Sequence, residues 1–219
     1  MRAWIYDRTF AGLTVGWYRE VLKRLPRGAR LLDVGIGTGG ALARNAALVK
    51  ARDLHIVGVD IDEVYLRRCR KLVAQAGLVR HVVPLHESVY DHRGGPYDAI
   101  YFSASFMLLP DPVGALRHAA RMLSPGGRVY FTQTIHTKPA PVMEKVKPML
   151  HRLTTIHFGR VTYEHELVEV VRRAGLHLHE WHTLGGARDL RFCLAMATRP
   201  VRTVGDELPE TVETRAAVA

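Results

Sequence analysis

The chain has 219 residues, 47% of them hydrophobic, and 31 Lys and Arg against 21 Asp and Glu give it a formal charge of +10. That supply of apolar residues is enough for a buried core and excludes a disordered body, and with no apolar run of about 18 residues no membrane span is predicted. The positive field suits anionic partners, RNA among them, yet the basic residues are scattered and not interleaved with aromatics as a strand-binding platform would be. The first seven residues contain no apolar core or cleavage-like site, so no signal peptide is expected. Cys69 and Cys193 give neither a metal-ligand spacing nor a disulfide framework, and read as reduced core thiols in a cytoplasmic protein.

Residues 1–28 form a leading segment rich in aromatics: Trp4, Tyr6, Phe10, Trp17 and Tyr18. The spacing of Leu13, Trp17, Val21 and Leu25 predicts a helix lying on the fold. Residues 29–199 then alternate between strand-like and helix-like runs. The first is Leu31-Leu32-Asp33-Val34-Gly35-Ile36-Gly37-Thr38-Gly39-Gly40, followed by the helix former Ala41–Val49. That order predicts a buried strand, a tight turn and a helix N-terminus. Glycines let the backbone come close to a ligand, and the open amides of the helix start face it.

The glycine spacing is G-x-G-x-G, without the Lys and Ser/Thr pair of a phosphate-binding P-loop. Gly35, Gly37 and Gly40 also satisfy the G-x-G-x-x-G of a dinucleotide site, so the glycines alone leave both readings open. Asp33 weighs against a pyrophosphate, because a carboxylate there repels it and suits an amino group and a cation.

His55–Asp60 is a second β-rich run, ending in an acid. Such an acid can accept two ribose hydroxyls, the alternative being a plain helix cap. A helix from Asp62 follows, with Tyr65, Cys69, Leu72, Val73 and Ala76 on one face. Val82–Leu85 is a third strand leading to Glu87 and Ser88, and Tyr97–Ser103 a fourth leading to Ser105 and Phe106. Asp111 and Pro112 cap and open a helix striped with Val113, Leu116, Ala120 and Leu123. Ser124–Gly127 turns into a fifth strand that ends near His136.

Residues 136–161 are inserted before the next helix, for which Thr162 is the candidate cap, with Glu164 and Glu166 in its first turn and Gly175 at its end. Leu176–Trp181 and Leu190–Thr198 are the closing strands. Residues 200–219 read as a flexible tail. The chain has twelve histidines, of which His86, His92, His136, His151 and His157 fall in loops or in the insertion. None has a zinc-like helical pairing, and no metal is expected.

Leu32–Gly39 resembles the first motif of class I S-adenosylmethionine-dependent methyltransferases. The run His55–Asp60, the Tyr97-Asp98-Ala99-Ile100 strand and the Leu123-Ser124-Pro125-Gly126-Gly127 turn follow in that family's order, so the resemblance spans about residues 29 to 133. It implies an α/β fold: a doubly wound, seven-stranded, mostly parallel sheet with helices on both faces. It implies S-adenosylmethionine as cofactor, with Asp33 at its amino end and Gly35, Gly37 and Gly39 under its methionine part. Asp60 with Ile61 would hold the ribose side. Glu87 and Ser88, where the family usually has Gly-Asp-Ala, would meet the adenine, and Ser103 would sit beside the methyl group.

The acceptor set implied is Tyr18, Ser105, Phe106 and His157, with 136–161 as a lid and His136 and Tyr6 as catalytic candidates. After strand 4 the Asn/Asp-Pro-Pro-Tyr/Phe signature of amino-group methylation is absent. A small-molecule acceptor is therefore expected, as in the quinone and sterol branch. The alternatives are an RNA methyltransferase, favoured by the charge, and a catalytically silent S-adenosylmethionine-binding module.

Overall fold

Adjacent residues Leu31 and Leu32 point to opposite faces of a strand, and both are wholly buried. A strand apolar on both faces belongs in the middle of a sheet covered on both sides. The computed structural model describes residues 2–138 and 162–200, with side chains from Gly12 onward except that of Ala187. His157, most of the 136–161 insertion and the 200–219 tail lie outside the described residues, as do the side chains of Trp4, Tyr6 and Phe10.

Strands β1 (Arg30–Val34), β2 (His55–Asp60), β3 (Val82–His86), β4 (Tyr97–Ser103) and β5 (Leu123–His136) are parallel. Strand β7 (Leu190–Thr198) runs antiparallel between β5 and β6 (His177–Ala187). The order β3-β2-β1-β4-β5-β7-β6 is the seven-stranded, doubly wound sheet expected. One face packs Leu31, Ile56, Ala99, Tyr101 and Tyr130 under helices α1 (Arg2–Arg24), α2 (Gly40–Arg44), α3 (Ala46–Ala51) and α4 (Glu63–Gln75). The other packs Leu32, Ile100, Phe102, Val129 and Phe131 under α5 (Pro112–Arg121) and α6 (Glu164–Arg173).

Local signals account for most boundaries. Asp62 caps α4 by accepting from the amides of Val64 and Tyr65, and Asp111 caps α5 through the Gly114 amide. Four details differ from the sequence reading. The run Ala41–Val49 is two helices, because the Asn45 amide bridges the carbonyls of Ala41 and Val15 and pins the break to α1. The buried face of α4 is Leu66, Cys69 and Val73, with Tyr65 and Leu72 at its margins. Tyr163, not Thr162, caps α6, and its amide donates to Glu166 Oε2 at 3.0 Å. Strand β6 runs on to Ala187 because it closes a hairpin with β7 across Arg188 and Asp189, Arg188 taking φ +50°.

Candidate active site

The C-terminal ends of β1, β2 and β4 meet at the glycine loop. Gly35 amide donates to Val59 carbonyl at 2.8 Å, which hooks the loop over β2. Gly35 (φ +77°) is required twice over: its backbone is left-handed, and a Cβ there would stand 2.5 Å from the Ser105 Cβ. Gly37 (φ +57°) differs, since a Cβ would meet nothing nearer than the Gly35 carbonyl oxygen at 4.0 Å. The space above Gly37 is open, as the floor of a ligand cradle should be.

Asp60 ties this loop to the next helix. Its Oδ2 accepts from the Gly37 amide and its Oδ1 from the Asp62 amide, each at 2.9 Å. Burial raises its pKa, and the Asp62 and Gly37 amides work against that rise. A carboxylate has about four lone-pair sites, so with the Ile61 amide also turned to it Asp60 keeps capacity for a ligand hydroxyl. Ile61 beside it is 75% exposed, an apolar side chain standing free at the edge of the cradle.

Asp33 is fully buried on β1. Its Oδ2 accepts from the Tyr18 hydroxyl at 2.8 Å, and its Oδ1 has no partner. Desolvation pushes its pKa up to about 7, against the lowering effect of the Tyr18 bond. An unpaired, buried carboxylate oxygen is costly unless a cationic group comes to it. Ser103, at the end of β4, has a buried hydroxyl that is likewise unpartnered. These two orphaned oxygens beside an open glycine floor fit an amino-acid-bearing ligand. Asp33, Gly35, Gly37, Asp60, Ile61 and Ser103 are thus gathered around one cradle, while Gly39 (φ +66°) backs onto α4, where a Cβ would stand 2.6 Å from the Cys69 sulfur.

Other expected site residues fall differently. The Glu87 carboxylate is 2.6 Å from His92 Nδ1, and His92 Nε2 is 2.8 Å from the Tyr97 hydroxyl. One Glu87 oxygen is therefore engaged by a histidine only 4% exposed, while the Glu87 side chain itself remains 43% exposed. Ser88 Oγ accepts from the Tyr90 amide at 3.3 Å.

Three acceptor candidates are also used inside the fold. The Ser105 hydroxyl donates to the Val34 carbonyl. The Phe106 ring packs edge-on against Phe102 and Phe131. Tyr18 is buried, its ring edge-on to Tyr101 and its hydroxyl on Asp33. The reason is common to all three: the chain after β4 folds back over the sheet, and α1 lies tightly on its face. His136 closes β5; its amide donates to the Thr162 carbonyl at 3.0 Å and its ring faces that of Tyr163.

Sequence reasoning missed two groups. The Trp17 indole Nε1 and both polar atoms of the Gln133 amide are buried without partners. The spacing of Trp17 marks only a helix face, and nothing in the spacing of Gln133 marks it. Among the described residues no cluster of His, Cys, Asp or Glu could hold a metal ion, and no helix is long and apolar enough to cross a membrane.

Comparison with known proteins identifies the family. The sequence profile of the Methyltransf_23 family, described as a methyltransferase domain, matches residues 7–180. A ubiquinone biosynthesis O-methyltransferase of Bordetella avium (strain 197N) is 30% identical over 171 residues, 75% of this chain and 68% of that protein. The fold also matches a crystal structure named as the [4+2]-cyclase SpnF, with TM-score 0.70 at 21% identity over 85% of this chain and 82% of the other. It matches a geranyl diphosphate methyltransferase solved in complex with S-adenosylmethionine, with TM-score 0.68 at 14% identity over 85% of each chain. A cyclase and a methyltransferase on one scaffold show that the fold alone does not fix the reaction. The profile and the Bordetella relative carry the assignment: the chain belongs to the class I S-adenosylmethionine-dependent methyltransferases.

Proposed function

We propose that this protein transfers a methyl group to a ring hydroxyl of a small phenolic acceptor. The name of the Bordetella relative supports the acceptor class, and one structural observation supports the chemistry. His136, at the C-terminal end of β5, lines a cleft of about 640 Å³ together with Ile135, Lys138, Tyr163, Glu164 and His165. A hydroxyl must give up its proton to become an effective nucleophile, and histidine is the side chain suited to take it near neutral pH.

Bound in the cradle, S-adenosylmethionine supplies a methyl carbon already activated by a sulfonium. The chain's own work is alignment, exclusion of water and removal of one proton. Asp33 Oδ1 and Ser103 Oγ would hold the cofactor's amino-acid end, and Asp60 with Ile61 its ribose side. Tyr18 holds Asp33 in place and fixes α1 over the site. His136 accepts the acceptor's proton through a ring nitrogen. The unpaired, buried Cys69 and Cys193 support a reducing, cytoplasmic setting.

The test is transfer of labelled methyl from S-adenosylmethionine to a catechol, with wild type and His136→Gln. The expected result is transfer by wild type and a kcat lower by roughly 10²–10⁴-fold in the variant, with unchanged affinity for S-adenosylhomocysteine. Full activity of His136→Gln would remove the histidine from the reaction, and no transfer to any ring hydroxyl would remove the acceptor class.

A further inference from the structure

The connection from β3 to β4, residues 87–96, contains no helix, although crossovers between parallel strands usually carry one. In its place a cavity of about 500 Å³ opens between this loop and the C-terminal half of α5, with His92, Arg93, Gly95, His118, Arg121 and Met122 in its lining. The Tyr97 amide donates to the Met122 carbonyl at 2.8 Å, which sets the cavity at the start of β4, the end of the sheet opposite the cofactor cradle. The loop is fitted to its place. A Cβ on Gly94 would run into the Tyr97 hydroxyl and stand 2.5 Å from His92 Nε2, and Gly95 takes φ +118°.

Two guanidinium groups bracket the His118 ring. Its Nε2 is 2.7 Å from the His92 carbonyl, an acceptor, so Nε2 carries the proton. Its Nδ1 is 3.1 Å from Arg121 Nη2, a donor, so Nδ1 carries none and the ring is neutral. Arg93 Nη1, 3.2 Å from the protonated Nε2, finds its acceptors instead in the carbonyls of Tyr90 and His92, at 2.9 and 3.1 Å. Each arginine thus uses one terminal nitrogen. Among the described residues, Nε and the other terminal nitrogen of each have no partner.

No carboxylate lines the cavity, and no ion pair among the described residues includes either arginine. Of the two acids in the loop, Glu87 is held by His92 Nδ1, and Asp91 is exposed outside the lining. The dipole of α5 favours a cation in its last turn, which accounts for Arg121. It does not account for Arg93, which a separate loop brings to the same ring. Two like charges held together with donors to spare suit an anion, and a dianion matches both.

We propose that this cavity binds a phosphate dianion, either free or as the terminal group of a small molecule. Arg93 and Arg121 donate to its oxygens from two sides, as planar guanidinium forks do to phosphate. A bare phosphate fills only part of the cavity, which leaves room beside Pro96 and Met122 for the body of an ester. The site is separate from the cradle and does not depend on the acceptor proposed above.

The experiment titrates inorganic phosphate and glycerol 3-phosphate into the full chain at constant ionic strength, with calorimetric detection. Wild type is compared with Arg93→Gln, Arg121→Gln and Arg80→Gln, the last removing the same charge from an exposed turn away from the cavity. Wild type should bind one phosphate group per chain, and its His118 ring resonances should move with occupancy. Arg93→Gln and Arg121→Gln should each weaken binding roughly tenfold or more, the loss of a charge-assisted bond, and Arg80→Gln should bind as wild type does. Arg121→Gln, at an exposed helix position, keeps the test open should Arg93→Gln fail to fold. Tighter binding of the ester would identify a phosphorylated metabolite as the source, and tighter binding of inorganic phosphate the free ion; either supports the site. Equal weakening by Arg80→Gln would reduce the effect to the chain's overall charge and overturn the proposal. So would the lack of saturable phosphate binding by folded wild type, even if a short RNA bound there.

Discussion

The Tyr18 hydroxyl on α1 donates to the Asp33 carboxylate on β1 at 2.8 Å, a bond buried at both ends. It joins the covering helix to the strand that begins the cofactor cradle, so packing of the cover and charge in the site are one equilibrium. Tyr18→Phe removes the one side-chain bond that this carboxylate has among the described residues. The variant should lose about 1.5–3 kcal/mol of stability at pH 8, where Asp33 is ionised, and less at pH 5, where it is neutral. Denaturant unfolding at the two pH values checks this; equal losses would show that ring packing, not the hydroxyl, matters.

The raised pKa of Asp33 fixes the sign of two pH effects. Its folded-state value of about 7 lies above the ordinary 3.8, so between these values the folded protein holds a proton that the unfolded chain has released. Stability of the ligand-free protein should therefore fall as pH rises from 4 to 7, by up to about 1.4 kcal/mol per pH unit from this group. Asp60, also raised by burial, acts in the same direction. Binding of a ligand ammonium favours ionised Asp33. Affinity for S-adenosylhomocysteine should accordingly climb as pH rises to 7, by at most about tenfold per pH unit, and level off above it. Calorimetry across this range, with Asp33→Asn flattening the climb, is the check.

Gly35 and Gly37 separate fold from binding. Gly35→Ala drives a Cβ into Ser105 and should cost about 2–5 kcal/mol from a strained backbone and overpacking. Gly37→Ala meets no such obstacle, since the nearest neighbour would be 4.0 Å away. It should stay folded with a loss of about 1–2 kcal/mol, yet bind S-adenosylhomocysteine much more weakly because the methyl intrudes on the cradle floor. Thermal unfolding and calorimetry on the two variants would show the split; equal effects on both readouts would contradict it.

Glu87 offers the opposite contrast. Its carboxylate holds His92, which in turn takes the Tyr97 hydroxyl, so Glu87→Gln should lower stability by about 1–2 kcal/mol while changing cofactor affinity little. A tenfold loss of affinity with unchanged stability would restore Glu87 to the adenine.

Much of this was legible in the chain. Strands apolar on both faces, the glycine run, and the caps Asp62 and Asp111 are local signals, and β1 through β5 follow from them. Asp33 and Asp60 stand where strand ends must place them. The rest depends on long-range folding that no local pattern reports. Ser105 and Phe106 follow a strand end, which is a local signal, but that the loop turns back and engages them with Val34 and the phenyl cluster is not. Glu87 is taken by a histidine five residues on. Gln133 looks like any polar strand residue until burial strips it of water and gives it nothing in return.

The most direct measurement is calorimetric titration of S-adenosylhomocysteine into wild type and Asp60→Ala. The account expects micromolar-range binding by wild type and its loss in a variant that remains folded by circular dichroism. Undiminished binding by Asp60→Ala, or no binding by folded wild type, would contradict the cradle at the centre of this account.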